Sequence, residues 1–80
     1  MKRHVWTLSW FDPRTDRLVG EATFEALSDD TVAEILGVPV EQILDGEFVV
    51  DSQRARRFTA VTGHSPLLDE YDYFIGATAD

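Results

Sequence analysis

From His4 to Phe11 apolar and polar positions alternate along the chain. Trp6, Leu8 and Trp10 fall on one side and Val5, Thr7, Ser9 and Phe11 on the other, which is the two-residue period of a strand. Asp12-Pro13 interrupts it, because proline presets φ for the second position of a turn and aspartate favours the first, so DPRTDR reads as a hairpin loop. The return strand, Leu18 to Phe24, sets Leu18, Gly20, Ala22 and Phe24 against Val19, Glu21, Thr23 and Glu25. Its small residues Gly20 and Ala22 leave room opposite the two tryptophans, the large-against-small pairing that a packed core needs.

The period then changes. Ser28 is a suitable N-cap, Asp29 and Asp30 suit the positive end of a helix dipole, and Val32, Ile35 and Leu36 mark one face of a short helix ending at Gly37. A second helical piece follows from Pro39, with Val40, Ile43 and Leu44 at helical spacing and Gly46 as its stop. Glu47 to Asp51 is a short β-rich run, with Phe48 and Val50 opposite Glu47, Val49 and Asp51. Asp51 or Ser52 caps a helix through Thr62, closed by Gly63, with Ala55, Phe58 and Val61 or Thr62 inward and Arg54, Arg56 and Arg57 in water. HSPLLDE connects to a last strand, YDYFIG.

The order ββαβαβ over residues 1–80 predicts a single α+β domain, with helices on one face of a mixed sheet of about four strands. The other face is left without a helix and collects Val5, Phe11, Val19, Glu21, Thr23, Glu25, Glu47, Val49 and Asp51. In DEYDYFIG either Tyr71, Tyr73 and Ile75 or Asp72, Phe74 and Gly76 joins it, and alternation alone leaves both registers open.

Charge sharpens this picture. The net charge is −8, and from Leu18 to Gln53 nine acids occur with no lysine or arginine. Such a field repels nucleic acid and anionic lipid and steers a basic partner inward. Eighty residues bury only roughly 60 to 65% of the unfolded surface, so the stability margin is thin. With no cysteine present, disulfides and thiolate zinc sites are excluded, and self-association stays open as a source of stability. The opening MKRHVWTLSWFD is neither a signal segment nor a membrane span, so a cytoplasmic protein is expected.

No motif carries catalysis, and no catalytic, metal or cofactor residue is assigned. His4 and His64 lack the spacing that sets two ligands on one helix face. The five glycines are dispersed and form no phosphate cradle. Asp45-Gly46-Glu47 with Asp51 is no calcium loop, because Phe48-Val49-Val50 stands where oxygen ligands belong. Arg54, Arg56 and Arg57 are expected to pair with neighbouring acids. The expected site is therefore a partner-binding surface of Glu21, Glu25, Glu47, Asp51, Tyr71, Asp72 and Tyr73, with carboxylates steering a basic protein and tyrosines anchoring it.

The opening W-x-L-x-W-F-D with its hairpin, the S-D-D helix start and the closing Y-D-Y-F-I resemble short uncharacterised bacterial proteins of a family of unknown function, some of them similar to immunity proteins encoded near toxins. The resemblance implies a binding role and brings no catalytic residue with it. Two functions follow as expectations: a small acidic domain that neutralises a basic, nuclease-type toxin, or a structural or regulatory homodimer.

Overall fold

The computed structural model describes residues 4–79. Strands β1 (His4–Phe11), β2 (Leu18–Phe24), β3 (Phe48–Val49) and β4 (Asp72–Ala79) form one sheet in the order β2-β1-β4-β3, with helices α1 (Asp29–Leu36) and α2 (Ser52–Thr62). The α+β class, the ββαβαβ order and the one-sided helix layer are as the patterning requires. Every pairing is antiparallel, so the sheet is not mixed. The first and last strands lie side by side at its centre, paired without a break from His4 opposite Ala79 to Phe11 opposite Asp72.

Each element starts and stops where backbone chemistry allows. In the hairpin loop the Asp12 carboxylate accepts from the Arg14 amide at 2.8 Å, and Asp16 takes the left-handed conformation at φ 57°. The Ser28 hydroxyl accepts from the Thr31 amide, and Gly37, at φ 70°, ends α1. The Asp51 carboxylate accepts from the Arg54 amide, and Gly63, at φ 79°, ends α2. The second helical piece is only a 3-10 turn over Val40–Gln42; Ile43 is buried behind it while Leu44 stays exposed. β3 shrinks to two residues, and β4 runs on past Gly76 to Ala79 because each added residue finds a partner in the first half of β1.

The core lies between the sheet and the helices. Trp6, Leu8, Tyr73 and Ile75 from the central strands meet Val32, Ile35 and Leu36 of α1, Ile43, and Ala55 and Phe58 of α2. Phe24 meets Phe58 edge-on at 5.1 Å, and His64 closes an aromatic group with Trp10, Phe24 and Phe58. Val61 is exposed, so Ala55 and Phe58 alone form the fully buried stripe of α2.

Two of the three arginines do not stand free in water, and among the described residues none of the three pairs with an acid. Arg57 donates to the Ile35 carbonyl at 3.1 Å, and Arg54 donates to the carbonyls of Leu36 at 3.0 Å and Val49 at 2.8 Å. α1 has no basic residue in its last turn, so α2 supplies the cations that satisfy its orphan carbonyls and complement its dipole. Arg54 also lies 5.9 Å from the centre of the Phe48 ring.

The room left by small residues is real at one position. Trp10 pairs with Gly20, and a Cβ built on Gly20 would lie 2.6 Å from Cζ2 of the indole, so the ring crosses the strand where glycine leaves space. Ala22 stands opposite Leu8, and Trp6 opposite Phe24. Gly20→Ala is therefore expected to destabilise by about 1–3 kcal/mol through overpacking, reversing the usual gain on replacing a strand glycine. A urea midpoint equal to or above that of the parent chain would contradict the crossing of Trp10 over Gly20.

Candidate functional site

The pairing register divides the side chains between the two faces. Trp6, Leu8, Trp10, Tyr73 and Ile75 point toward the helices, so their neighbours Thr7, Ser9, Phe11, Asp72, Phe74 and Gly76 point the other way, where no helix lies. Of the two registers for the last strand, the structure takes Asp72, Phe74 and Gly76 outward. A one-residue slip would bury Asp72 and expose Tyr73 and Ile75 to water, so core formation settles the choice.

The uncovered face has a hydroxyl floor and an aromatic rise. Thr7 and Ser9 are buried in its centre although they face away from the helices, and the Thr7 hydroxyl shares a hydrogen bond of 2.8 Å with that of Thr78. Phe11 and Phe74 meet edge-on at 5.7 Å, both half-buried. Val49 of β3 is 57% exposed beside Phe74. The register shifts between Trp10 and Phe11, so that Phe11 pairs with Leu18 and Val19 is left unpaired; Leu18 and Val19 stand 53% and 48% exposed.

Three carboxylates belong to this face. Glu21 and Asp72 stand exposed on it, and Glu47 passes over Gly76, its Cγ 3.0 Å from where a Cβ would be. The other anticipated residues sit elsewhere. Glu25 lies in the turn leaving β2, and Asp51 is occupied as the α2 cap. Tyr73 is 4% exposed in the core, where its hydroxyl accepts from the Leu67 amide at 3.1 Å, and it stacks on Trp10. Tyr71 is half-buried against Tyr73. The tyrosines thus support the core, and Phe11 with Phe74 replaces them as the aromatic pair of the open face. Both phenylalanines carried a signal, since they occupy the polar phase of alternating strands.

The nine acids of the stretch without cations do not form one wall. Glu21 and Glu47 reach the open face, while Asp29, Asp30 and Glu34 follow α1 and Glu41 and Asp45 follow the 3-10 turn. The open-face acids are not neutralised internally: among the described residues no lysine or arginine pairs with a carboxylate, and the one histidine–carboxylate pair joins His4 to Asp29.

That pair is the second polar cluster. His4 Nε2 donates to Asp29 Oδ1 at 2.8 Å and Trp6 Nε1 donates to the same oxygen at 3.0 Å, tying the start of β1 to the start of α1. No serine or threonine hydroxyl among the described residues hydrogen-bonds His4, so this is a histidine–carboxylate pair without a nucleophile in reach. Among the described residues no group of three or more metal-ligating side chains assembles, and no helix is long and apolar enough to cross a membrane.

A family model described as a domain of unknown function, DUF7683, matches residues 5–76. No curated protein matches the chain.

Hydrogen bonding from His4, the larger cause, and from Trp6 holds the Asp29 carboxyl below its ordinary value, while partial burial opposes the shift. A carboxyl with a lowered folded-state pKa contributes stability that is complete above its unfolded value and is lost as pH falls through the folded one. Asp29→Asn is therefore expected to lower the urea midpoint at about pH 6 and to converge on the parent chain toward about pH 2. An offset independent of pH would show that the carboxylate charge is not what joins β1 to α1.

Proposed function

The chain belongs to this domain family of unknown function, and we propose that it is a small acidic protein-binding domain that receives a basic protein on the uncovered face of its sheet. One observation carries the reading. Among the described residues, every charged side chain placed on that face is a carboxylate, Glu21, Glu47 and Asp72, and they surround the half-buried pair Phe11 and Phe74 with exposed Val49 alongside. Apolar anchors ringed by charges of one sign suit a partner whose own surface is cationic, since charge sets encounter and orientation while aromatic burial sets residence time. Arg54 and Arg57 leave the acids available, because their guanidinium groups engage backbone carbonyls.

A nuclease toxin, whose substrate-binding surface must be basic, has that chemistry. The finer reading is an immunity protein acting in the cytoplasm by covering such a surface. It requires no catalytic residue of its own.

Co-expression with the products of flanking genes tests this. A basic product is expected to co-purify at low salt, and Glu21→Lys with Asp72→Lys is expected to weaken the purified complex by at least about tenfold with the fold retained, since both positions are exposed. Failure to recover any basic product, undiminished binding by the double variant, or a salt-insensitive dimer of the chain itself in sedimentation would each overturn the proposal.

A further inference from the structure

The register also fixes which backbone groups of each strand face outward. The Val50 amide donates to the Tyr73 carbonyl at 2.9 Å, so the polar groups of Tyr73 point to β3 and those of its neighbours Asp72, Phe74 and Gly76 point to β1. On β1 it follows that Thr7 and Ser9 bond to β4, whereas Trp6, Leu8 and Trp10 bond to β2. On β2, therefore, Gly20, Ala22 and Phe24 face β1, and the amides and carbonyls of Glu21 and Thr23 face away from the sheet.

That outer edge is open. Among the described residues no hydrogen bond outside the β1 ladder reaches any residue of β2. The edge runs for seven residues with no proline or lysine, in contrast to the two residues of β3 at the opposite border. On its helix side the Trp10 indole lies across Gly20. On the uncovered side Glu21 stands exposed, with exposed Leu18 and Val19 at the bulge.

We propose that the outer edge of β2 is a strand-docking site that takes an extended segment of a cationic partner, with lysine or arginine on the face beside Glu21 and apolar residues on the face beside Trp10. The site rests on the reading of the chain as a receiver of basic proteins and adds how that partner is held: main-chain hydrogen bonds to Glu21 and Thr23, with alternate side chains read by the two faces of the sheet. A second copy of the chain suits the edge poorly. Symmetric pairing about Glu21 sets like charges directly opposite, and every other register joins two chains of net charge −8.

The probe is an acetylated and amidated heptapeptide of alternating lysine and valine, titrated into the 15N-labelled chain at low salt. Binding is expected to shift the Glu21 and Thr23 amides and to slow their exchange with solvent. Thr23→Pro, which removes an outward donor and leaves the β1 ladder intact, is expected to weaken binding about tenfold with the amide spectrum of β1 and β4 retained. Shifts centred on Phe11, Val49 and Phe74, with undiminished binding by Thr23→Pro, would overturn the edge site and leave the acidic face as the receiver. No shift anywhere at millimolar peptide would also overturn it, the broader proposal then being decided by the Glu21→Lys and Asp72→Lys complex. Self-association of the chain through β2 would overturn it in favour of a second copy.

Discussion

The antiparallel union of the first and last strands is the constraint from which the rest of this molecule follows. β1 and β4 pair along eight positions each and bring Trp6, Leu8, Tyr73 and Ile75 to one side of the sheet centre. Once those four side chains are buried, strand geometry leaves no freedom elsewhere: Thr7, Ser9, Phe11, Asp72 and Phe74 must face away, and Glu21 and Thr23 must direct their backbone groups outward. The surface proposed to meet a partner is thus a consequence of the core, laid down by the same alternation. The union also joins residues at opposite ends of the chain, so it must overcome nearly the whole loop-closure entropy before the core rewards it.

The helix layer depends on cross-connections more than on its own propensity. Both helices are short, and α1 lacks cations in its last turn, so Arg54 and Arg57 of α2 complete the C-terminus of α1 while Asp29 at its N-terminus accepts from His4 and Trp6 of β1. α1 is held at one end by α2 and at the other by the sheet. Using the guanidinium groups this way has an electrostatic consequence. Two of the few cations in a chain of net charge −8 are committed to backbone carbonyls, and the carboxylates of the open face stay uncompensated by them.

The strands, caps and glycine stops were legible in the sequence because each depends on local chemistry. Two-residue alternation fixed β1 and β2, Ser28 marked the start of α1, Asp51 or Ser52 marked that of α2, where Asp51 is the cap, and Gly37 and Gly63 fixed the ends. What depended on pairing was not legible. The choice between Tyr73 and Phe74 as the outward aromatic needed the position of β4 against β1, and the extension of β4 through Ala77, Thr78 and Ala79 has no apolar signal of its own. The arginines misled because a cation near acids suggests ion pairs, whereas the unsatisfied carbonyls of α1 are visible only once α1 and α2 are side by side. Of the anticipated partner-binding residues, Glu21, Glu47 and Asp72 reach the open face, and the two tyrosines do not.

The central claim is that pairing of β1 with β4 sets one alternation of inward and outward groups across the whole sheet. Native-state hydrogen exchange on the isolated chain, resolved by residue, tests it most directly. Amides directed into the sheet, those of Leu8, Ser9, Ala22, Gly76 and Thr78, are expected to exchange slowly, and those of Glu21, Thr23 and Ala77, directed outward past any partner strand, to exchange rapidly. Equal protection of Glu21, Ala22 and Thr23, or rapid exchange at Gly76 and Thr78, would contradict the pairing and with it the placement of both the uncovered face and the open edge.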